Sequence, residues 1–89
     1  MRKREVAVWV SRGLGSQLSD FVAVSRAEPE LVTPPGYDGR YETASVIAWL
    51  TMRAANALGL AVVEPGEKRC VRITVEDVPA PVEPQGEET

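Results

Sequence analysis

The amino-acid sequence predicts a small α+β domain, an antiparallel sheet with one helix packed on one face. Three segments, residues 5–10, 20–26 and 69–75, place valines at alternate positions with the period of two that is typical of strands. Between the second and the third, residues 43–58 show apolar side chains at helical spacing. The order is β-β-α-β, or β-β-α-β-β if the short apolar run at residues 60–63 is a further strand.

The first two predicted strands are close in sequence, which favours an antiparallel hairpin, because parallel neighbours need a crossover of about a dozen residues. Gly13 and Gly15 lie in the connection, where glycine allows a positive φ. A phosphate-binding loop would instead run from a strand into a helix N-terminus. We interpret the connection as a bend; the alternative is an anion contact through Arg12 and exposed backbone amides.

Residues 27–42 are too rich in proline and glycine for a regular element and predict a long connection. Tyr37, Arg40 and Tyr41 bracket an Asp-Gly turn within it. These side chains either stack on a ligand or pin the connection to the body of the domain, and pinning is the interpretation that we favour.

The predicted helix has Thr43 as its N-cap and Gly59 just beyond its end. One side of it carries the residues that we expect to face the sheet: Thr43, Val46, Ile47, Leu50, Ala54, Ala57 and Leu58. Trp49 falls almost opposite this stripe, with Met52 and Arg53 on the same side. The placement predicts a patch for a partner protein, or a site that the loop at residues 34–37 covers.

After a turn at residues 64–67, the last predicted strand directs Val71, Ile73 and Val75 inward. If the valines of all strands face the helix, the other sheet face carries a largely apolar set: Ala7, Trp9, Phe21, Ala23, Cys70, Arg72 and Thr74. Such a surface usually contacts another molecule. Because a domain this small obtains only about 3–5 kcal/mol from its core, we expect a homo-oligomer, in the simplest form a sheet-mediated homodimer. The alternative is that the connection at residues 27–41 covers part of this face.

Charge is uneven along the 89 residues, which carry a formal net charge of −3. Residues 1–75 contain ten basic and eight acidic side chains, so the body is slightly basic and the end is acidic. Residues 79–89 hold three prolines and no large aromatic group. We therefore expect one domain at residues 1–78 and a disordered acidic tail at residues 79–89.

Composition argues against several classes of function. The chain has no histidine and a single cysteine, so an internal disulfide and a site of clustered Cys and His ligands are excluded. Cys70 lies between Arg69 and Val71 on a strand, where packing is its ordinary role. We expect no enzyme activity, no catalytic residues, no metal and no cofactor.

No apolar run approaches the roughly 18 residues that span a bilayer. The N-terminus lacks the apolar region and cleavage site of a secretion signal. We expect a soluble, cytoplasmic protein without a membrane partner.

Two binding functions remain. The first is a protein-interaction module that contacts its partner, whose identity the sequence does not give, through Trp49 and Met52, through the sheet face with Trp9 and Phe21, or through both. The second is a weak nucleic-acid binder, with base stacking on Trp9 and Phe21. Its phosphate contacts would come from basic side chains: Arg2, Lys3, Arg4, Arg12 and Arg72.

The first 41 residues also show a family-like pattern: a strand ending in Val-Ser-Arg, a tight hairpin, a second strand running into SRAEPEL, and the run GYDGRY. This pattern resembles short uncharacterised reading frames of phages and prophages. The resemblance implies a mobile-element accessory protein, in the broad group that includes small inhibitors of host defence systems. Such proteins typically act by occupying a partner surface.

Overall fold

The predicted strands, with their alternating apolar residues, lie in a four-stranded sheet. The structure, a computed structural model, describes residues 3–32, 39–42, 44–61 and 63–81. Within them lie six strands, one α-helix and a short 3-10 helix at Leu18–Asp20. The strands and the α-helix are β1 (Lys3–Ser11), β2 (Phe21–Ser25), β3 (Leu31–Val32), β4 (Arg40–Tyr41), β5 (Val46–Thr51), α1 (Met52–Ala57) and β6 (Lys68–Glu76). The main sheet is antiparallel in the order β5-β2-β1-β6, and β3 pairs with β4 in a separate ribbon. The predicted class, a small antiparallel sheet with one helix packed against it, is confirmed.

The side of the sheet that faces α1, here called the core face, is built from alternate strand residues. Its buried cluster joins four valines of the central strands to one residue of α1 and one residue after it: Val8, Val10, Val22, Val24, Ala55 and Val63. Val22 lies opposite Leu50 in the β2–β5 ladder, and Val8 lies opposite Val71 in the β1–β6 ladder. The valines therefore face the helix, as the alternation predicts.

The prediction of one helix over residues 43–58 is wrong in its first half, because Val46–Thr51 form β5. Their side chains alternate between half-buried and exposed, the pattern of a strand with one covered face. Four of the six residues are β-branched or aromatic: Val46, Ile47, Trp49 and Thr51. Pairing with β2 also satisfies backbone groups that would otherwise line an open edge of β2. The predicted N-cap, Thr43, lies outside the described residues.

The helix that does form is short and capped at both ends. Thr51 is its N-cap, and its Oγ1 accepts a hydrogen bond from the amide of Ala54 at 3.1 Å. Gly59, with φ +74°, follows the last turn, where the amide of Leu60 donates to the carbonyl of Ala55 at 2.8 Å. This is the Schellman ending that favours glycine, so the prediction that Gly59 ends the helix is confirmed.

The glycine-containing connection between β1 and β2 runs from strand to strand, as predicted. It spans residues 12–20, so it is longer than a tight hairpin turn, and Gly15 supplies a positive φ of 99°. Arg12 fastens it: Nε and Nη2 donate to the carbonyl of Ser19 at 3.0 and 2.6 Å, and Nη1 donates to the carbonyl of Val63 at 3.1 Å. The guanidinium thus serves the fold, and the bend interpretation holds.

The described residues between α1 and β6 form no strand, and the fourth strand of the main sheet is β5, which precedes the helix instead of following it. Leu60, Ala61 and Val63 are not in a strand and pack on or in the core. The predicted turn follows, with Gly66 at φ +83° and the amide of Glu67 donating to the carbonyl of Glu64 at 2.9 Å. In β6, Val71 and Ile73 point to the core face, as predicted. Of the predicted tail, residues 82–89 lie outside the described residues.

A capping variant tests the position of the helix start. We expect Thr51→Ala to lower the free energy of unfolding by about 1 kcal/mol, because the Ala54 amide loses its partner. Thr51→Ser keeps the capping oxygen and should cost less than half as much. Urea unfolding followed by circular dichroism measures both, and a neutral Thr51→Ala would contradict a helix that begins at Met52.

Candidate protein-binding surface

The sheet side opposite α1, here called the outer face, carries the large aromatic residues. Trp49 of β5 lies directly opposite Ala23 of β2, and Phe21 lies opposite Thr51 two pairs further along, which is the next pair on the same face. Phe21 and Trp49 are therefore diagonal neighbours on the same face, about 7–8 Å apart between Cα atoms and within reach of each other's rings. The β5 strand thus places Trp49 with Phe21, which a helix would have kept apart.

These aromatic residues form an exposed group at one corner of the sheet. The exposed fractions are 42% for Phe21, 61% for Ile47 and 52% for Trp49. We call these three residues the aromatic corner. Ile47 is a member that the sequence analysis missed, because it assigned Ile47 to the apolar stripe of a helix. The period-two alternation of residues 46–51 was the signal that could have placed it outward.

The middle of the outer face is covered by the chain between β2 and β5. Ser11, Ala23 and Ser25 lie on this face and are buried. The covering residues, 28–32 and 39–42, are here called the covering segment. Lys68 ties its first part to β6, donating to the carbonyl of Pro29 at 2.8 Å and contacting Glu28 Oε2 at 3.0 Å. The structure thus agrees with the alternative interpretation, in which this connection covers part of the sheet face, and the face is not fully open as the leading interpretation expected.

Tyr41 fixes the other end of the covering segment. It is buried, and its hydroxyl donates a hydrogen bond to the carbonyl of Gly66. A backbone hydrogen bond also joins the covering segment to the β1–β2 connection: the amide of Leu14 donates to the carbonyl of Gly39 at 2.8 Å. The pinning interpretation holds for Tyr41. Tyr37 lies outside the described residues.

Arg40 differs from Tyr41 in being exposed. It lines, together with Tyr41 and Trp49, a cavity of about 10 Å³ between the covering segment and the sheet. That volume holds about one water molecule, so the cavity is a packing gap. The position of the cavity shows that the covering segment reaches Trp49. The rest of the indole is exposed, and Arg40 lies beside it.

The other half of the outer face has a different character. Trp9 is half-buried and lies opposite Cys70, and Arg72 lies opposite Ala7. Arg72 is exposed, with Nε 3.7 Å from Glu5 Oε1. Trp9 and Arg72 are thus on β1 and β6, separated from Trp49 by the buried middle of the face.

Two predicted contact residues are not part of the outer face. Met52 is half-buried and packs against the core cluster on the core face. Arg53 is exposed on α1, which covers that same face. The predicted pairing of Trp49 with Met52 came from helical projection, and it fails because a strand ends and a helix begins between the two residues.

None of the helices in the described residues is long and apolar enough to cross a membrane.

Comparisons with protein-family models, with curated proteins and with solved structures found no match to this chain. The resemblance of the first 41 residues to phage and prophage reading frames therefore stays a prediction.

The attachment of the covering segment should depend on pH. Burial raises the pKa of Tyr41 above its ordinary value of 10.0; the positive charge of Lys68 opposes this rise and the negative charge of Glu67 adds to it. The folded chain then holds the phenol proton more tightly than the unfolded chain does. The stability that this provides is complete below pH 10 and is lost as the pH rises above it.

We therefore expect the urea midpoint of the wild-type protein to fall more steeply than that of Tyr41→Phe as the pH rises above about 10. At neutral pH, Tyr41→Phe should cost about 1 kcal/mol for the hydrogen bond to Gly66. The comparison removes the contribution of other groups that titrate in this range, because both proteins contain them. Parallel pH profiles would contradict the role of Tyr41.

Proposed function

We propose that this protein is a non-catalytic protein-interaction module that binds a partner protein through the aromatic corner. The observation that carries the proposal is the exposure of Trp49 and Phe21 side by side, on a face whose centre the chain already covers. Large exposed apolar groups on a small domain are characteristic of contact sites, and tryptophan is enriched at the centres of interfaces.

The surroundings of the aromatic corner support a partner of particular chemistry. Its rim includes the exposed Arg40, next to Trp49 at the small cavity. Arginine at the edge of an apolar patch favours an acidic side chain across the interface. The partner surface that fits is therefore an apolar projection with a carboxylate at its margin.

Nucleic acid is a weaker alternative on this face. The charged residues on the outer face of β1 and β6 are nearly balanced, three basic and two acidic: Lys3, Glu5, Lys68, Arg72 and Glu76. Lys68 is already paired with Glu28. Arg12, a predicted phosphate contact, donates three hydrogen bonds to backbone carbonyls. A phosphate backbone requires a clustered positive field, which these residues do not supply.

The resemblance to phage and prophage reading frames adds the nature of the partner. We propose a mobile-element accessory or inhibitor protein, whose partner is a host protein and whose action is to occupy a surface of that partner. This role requires stable binding to the partner protein and no catalysed reaction.

A matched pair of variants tests the aromatic corner. The partner is first captured from a lysate of the source cell and purified, and its Kd is then measured by calorimetry. Trp49→Thr, which keeps strand propensity, should weaken binding by about 30-fold, the loss typical of an interface centre. Leu58→Thr removes another exposed apolar side chain, 64% exposed, at the end of α1 and should change Kd by less than about twofold. Equal Kd values for the two variants would contradict the proposal.

Salt dependence separates the two classes of partner. A complex formed by apolar burial should change its Kd by less than about threefold between roughly 50 and 200 mM salt, whereas six or more phosphate contacts would cost about a thousandfold. Capture of nucleic acid with the steep dependence would replace the protein-binding proposal.

A further inference from the structure

The strand β6 forms a long and regular edge of the main sheet. Among the described strands it pairs on one side only, with β1, through nine consecutive residue pairs from Lys3–Glu76 to Ser11–Lys68. The other edge, β5, is shorter, has a register shift against β2 and continues directly into α1. A straight edge with free backbone donors and acceptors is the kind that pairs with another chain.

The core face is also incompletely covered beside this edge. On this face, the helix α1 packs against β5 and β2, which lie towards the opposite edge of the sheet from β6. Val71 and Ile73 of β6 are only partly buried, and Val75 is 40% exposed. A neighbouring strand along β6 would bury apolar side chains that this chain leaves partly exposed.

We propose that a second copy of this chain pairs its β6 antiparallel with β6, about a two-fold axis perpendicular to the sheet at Ile73. Directly opposed residues must point to the same face, so the axis has to pass through a residue position of β6. Five positions, 70 to 74, retain at least half of the strand in the ladder. An axis at Cys70 sets Lys68 against Arg72, and an axis at Val71 sets Arg69 against Ile73, so both are unfavourable. Three positions remain: Arg72, Ile73 and Thr74.

Charge and apolar pairing decide among the three. An axis at Arg72 sets this arginine against its own copy, and an axis at Thr74 sets Val71 against Asp77 of the second copy. An axis at Ile73 sets Val71 against Val75 of the second copy, and Arg69 against its Asp77. Arg69 and Asp77 are both exposed, and the nearest carboxylate to Arg69 is Glu67, at 3.9 Å. The Arg72 and Thr74 registers also pair apolar residues and opposite charges, but each adds the unfavourable contact just named. The Ile73 register avoids both contacts and repeats its two favourable pairings, Val71–Val75 and Arg69–Asp77, on each side of the axis.

This dimer would be one continuous eight-stranded sheet. Its two aromatic corners would lie at opposite ends, because each belongs to β5 and β2. The edge contact and the aromatic corner share no residue, so self-association and partner binding can fail independently. The homodimer expected from the sequence is thereby assigned to the edge of the sheet, which leaves its outer face open to a partner.

Subunit mass tests the contact. Sedimentation velocity of the full chain should show a dimer at micromolar concentration. Val75→Lys should weaken it by more than about 30-fold, because each lysine would stand against Val71 on an apolar face. Leu58→Lys, an equally drastic change at an exposed site outside the contact, should leave the dimer intact, as should Trp49→Thr. A monomer at millimolar concentration, a dimer that tolerates Val75→Lys, or a dimer that Trp49→Thr dissociates would overturn the proposal.

Single cysteines test the register. In a Cys70→Ser background, Ile73→Cys should form a disulfide-linked dimer on mild oxidation, since opposed Cα atoms lie about 4.5–5.5 Å apart. Arg72→Cys and Thr74→Cys would each be offset from their copies by two residues, beyond the roughly 7 Å limit for a disulfide. Faster cross-linking at 72 or 74 would overturn the Ile73 axis.

A charge exchange gives an independent result if Ile73→Cys unfolds. Arg69→Asp and Asp77→Arg should each weaken the dimer by about three- to tenfold, and the double variant should restore it. Single variants without effect, or a double variant weaker than either, would overturn the pairing of these residues.

Discussion

The ladder between β2 and β5 is the constraint on which both faces of this protein depend. By setting Leu50 opposite Val22 and Trp49 opposite Ala23, it sends one apolar residue into the core and its neighbour to the outer face. A strand offers no intermediate direction, because successive side chains point to opposite sides. The exposed indole is thus a direct consequence of closing the core with Leu50, and exposed apolar patches of this kind are characteristic of contact sites.

The turn that follows α1 is the second organising feature, since several long-range hydrogen bonds converge there. Arg12 binds the carbonyl of Val63 through its side chain, and its backbone amide and carbonyl pair with Glu67 and Gly66. Tyr41 binds the carbonyl of Gly66, and Lys68 holds Pro29. The β1–β2 connection and the covering segment are therefore fastened to one place. This arrangement buries the centre of the outer face with polar attachments and leaves its corner exposed, while β6 has one strand neighbour among the described residues.

Periodicity predicted much of this architecture and failed where two periods fit the same residues. The valines of β1, β2 and β6 alternate over enough positions to predict these three strands and the face to which the valines point, and Gly59 and Gly66 marked two chain reversals. Residues 46–58 contain a strand followed at once by a helix, so one helical projection fitted the whole segment. Pairing with β2 decided the outcome, and a projection of a single segment contains no information about that neighbour. The helical prediction also misplaced the candidate site, because it grouped Trp49 with Met52 and assigned Ile47 to the side that faces the sheet.

Strand geometry at Trp49 can be observed directly in solution. Nuclear Overhauser spectra of the labelled protein should show cross-strand backbone contacts between Trp49 and Ala23, with extended-chain chemical shifts from Val46 to Thr51. Together they would establish that the indole shares a face with Phe21. Helical contacts between residues three apart across this segment, without any contact to Ala23, would contradict the account of the sheet and of the surface built on it.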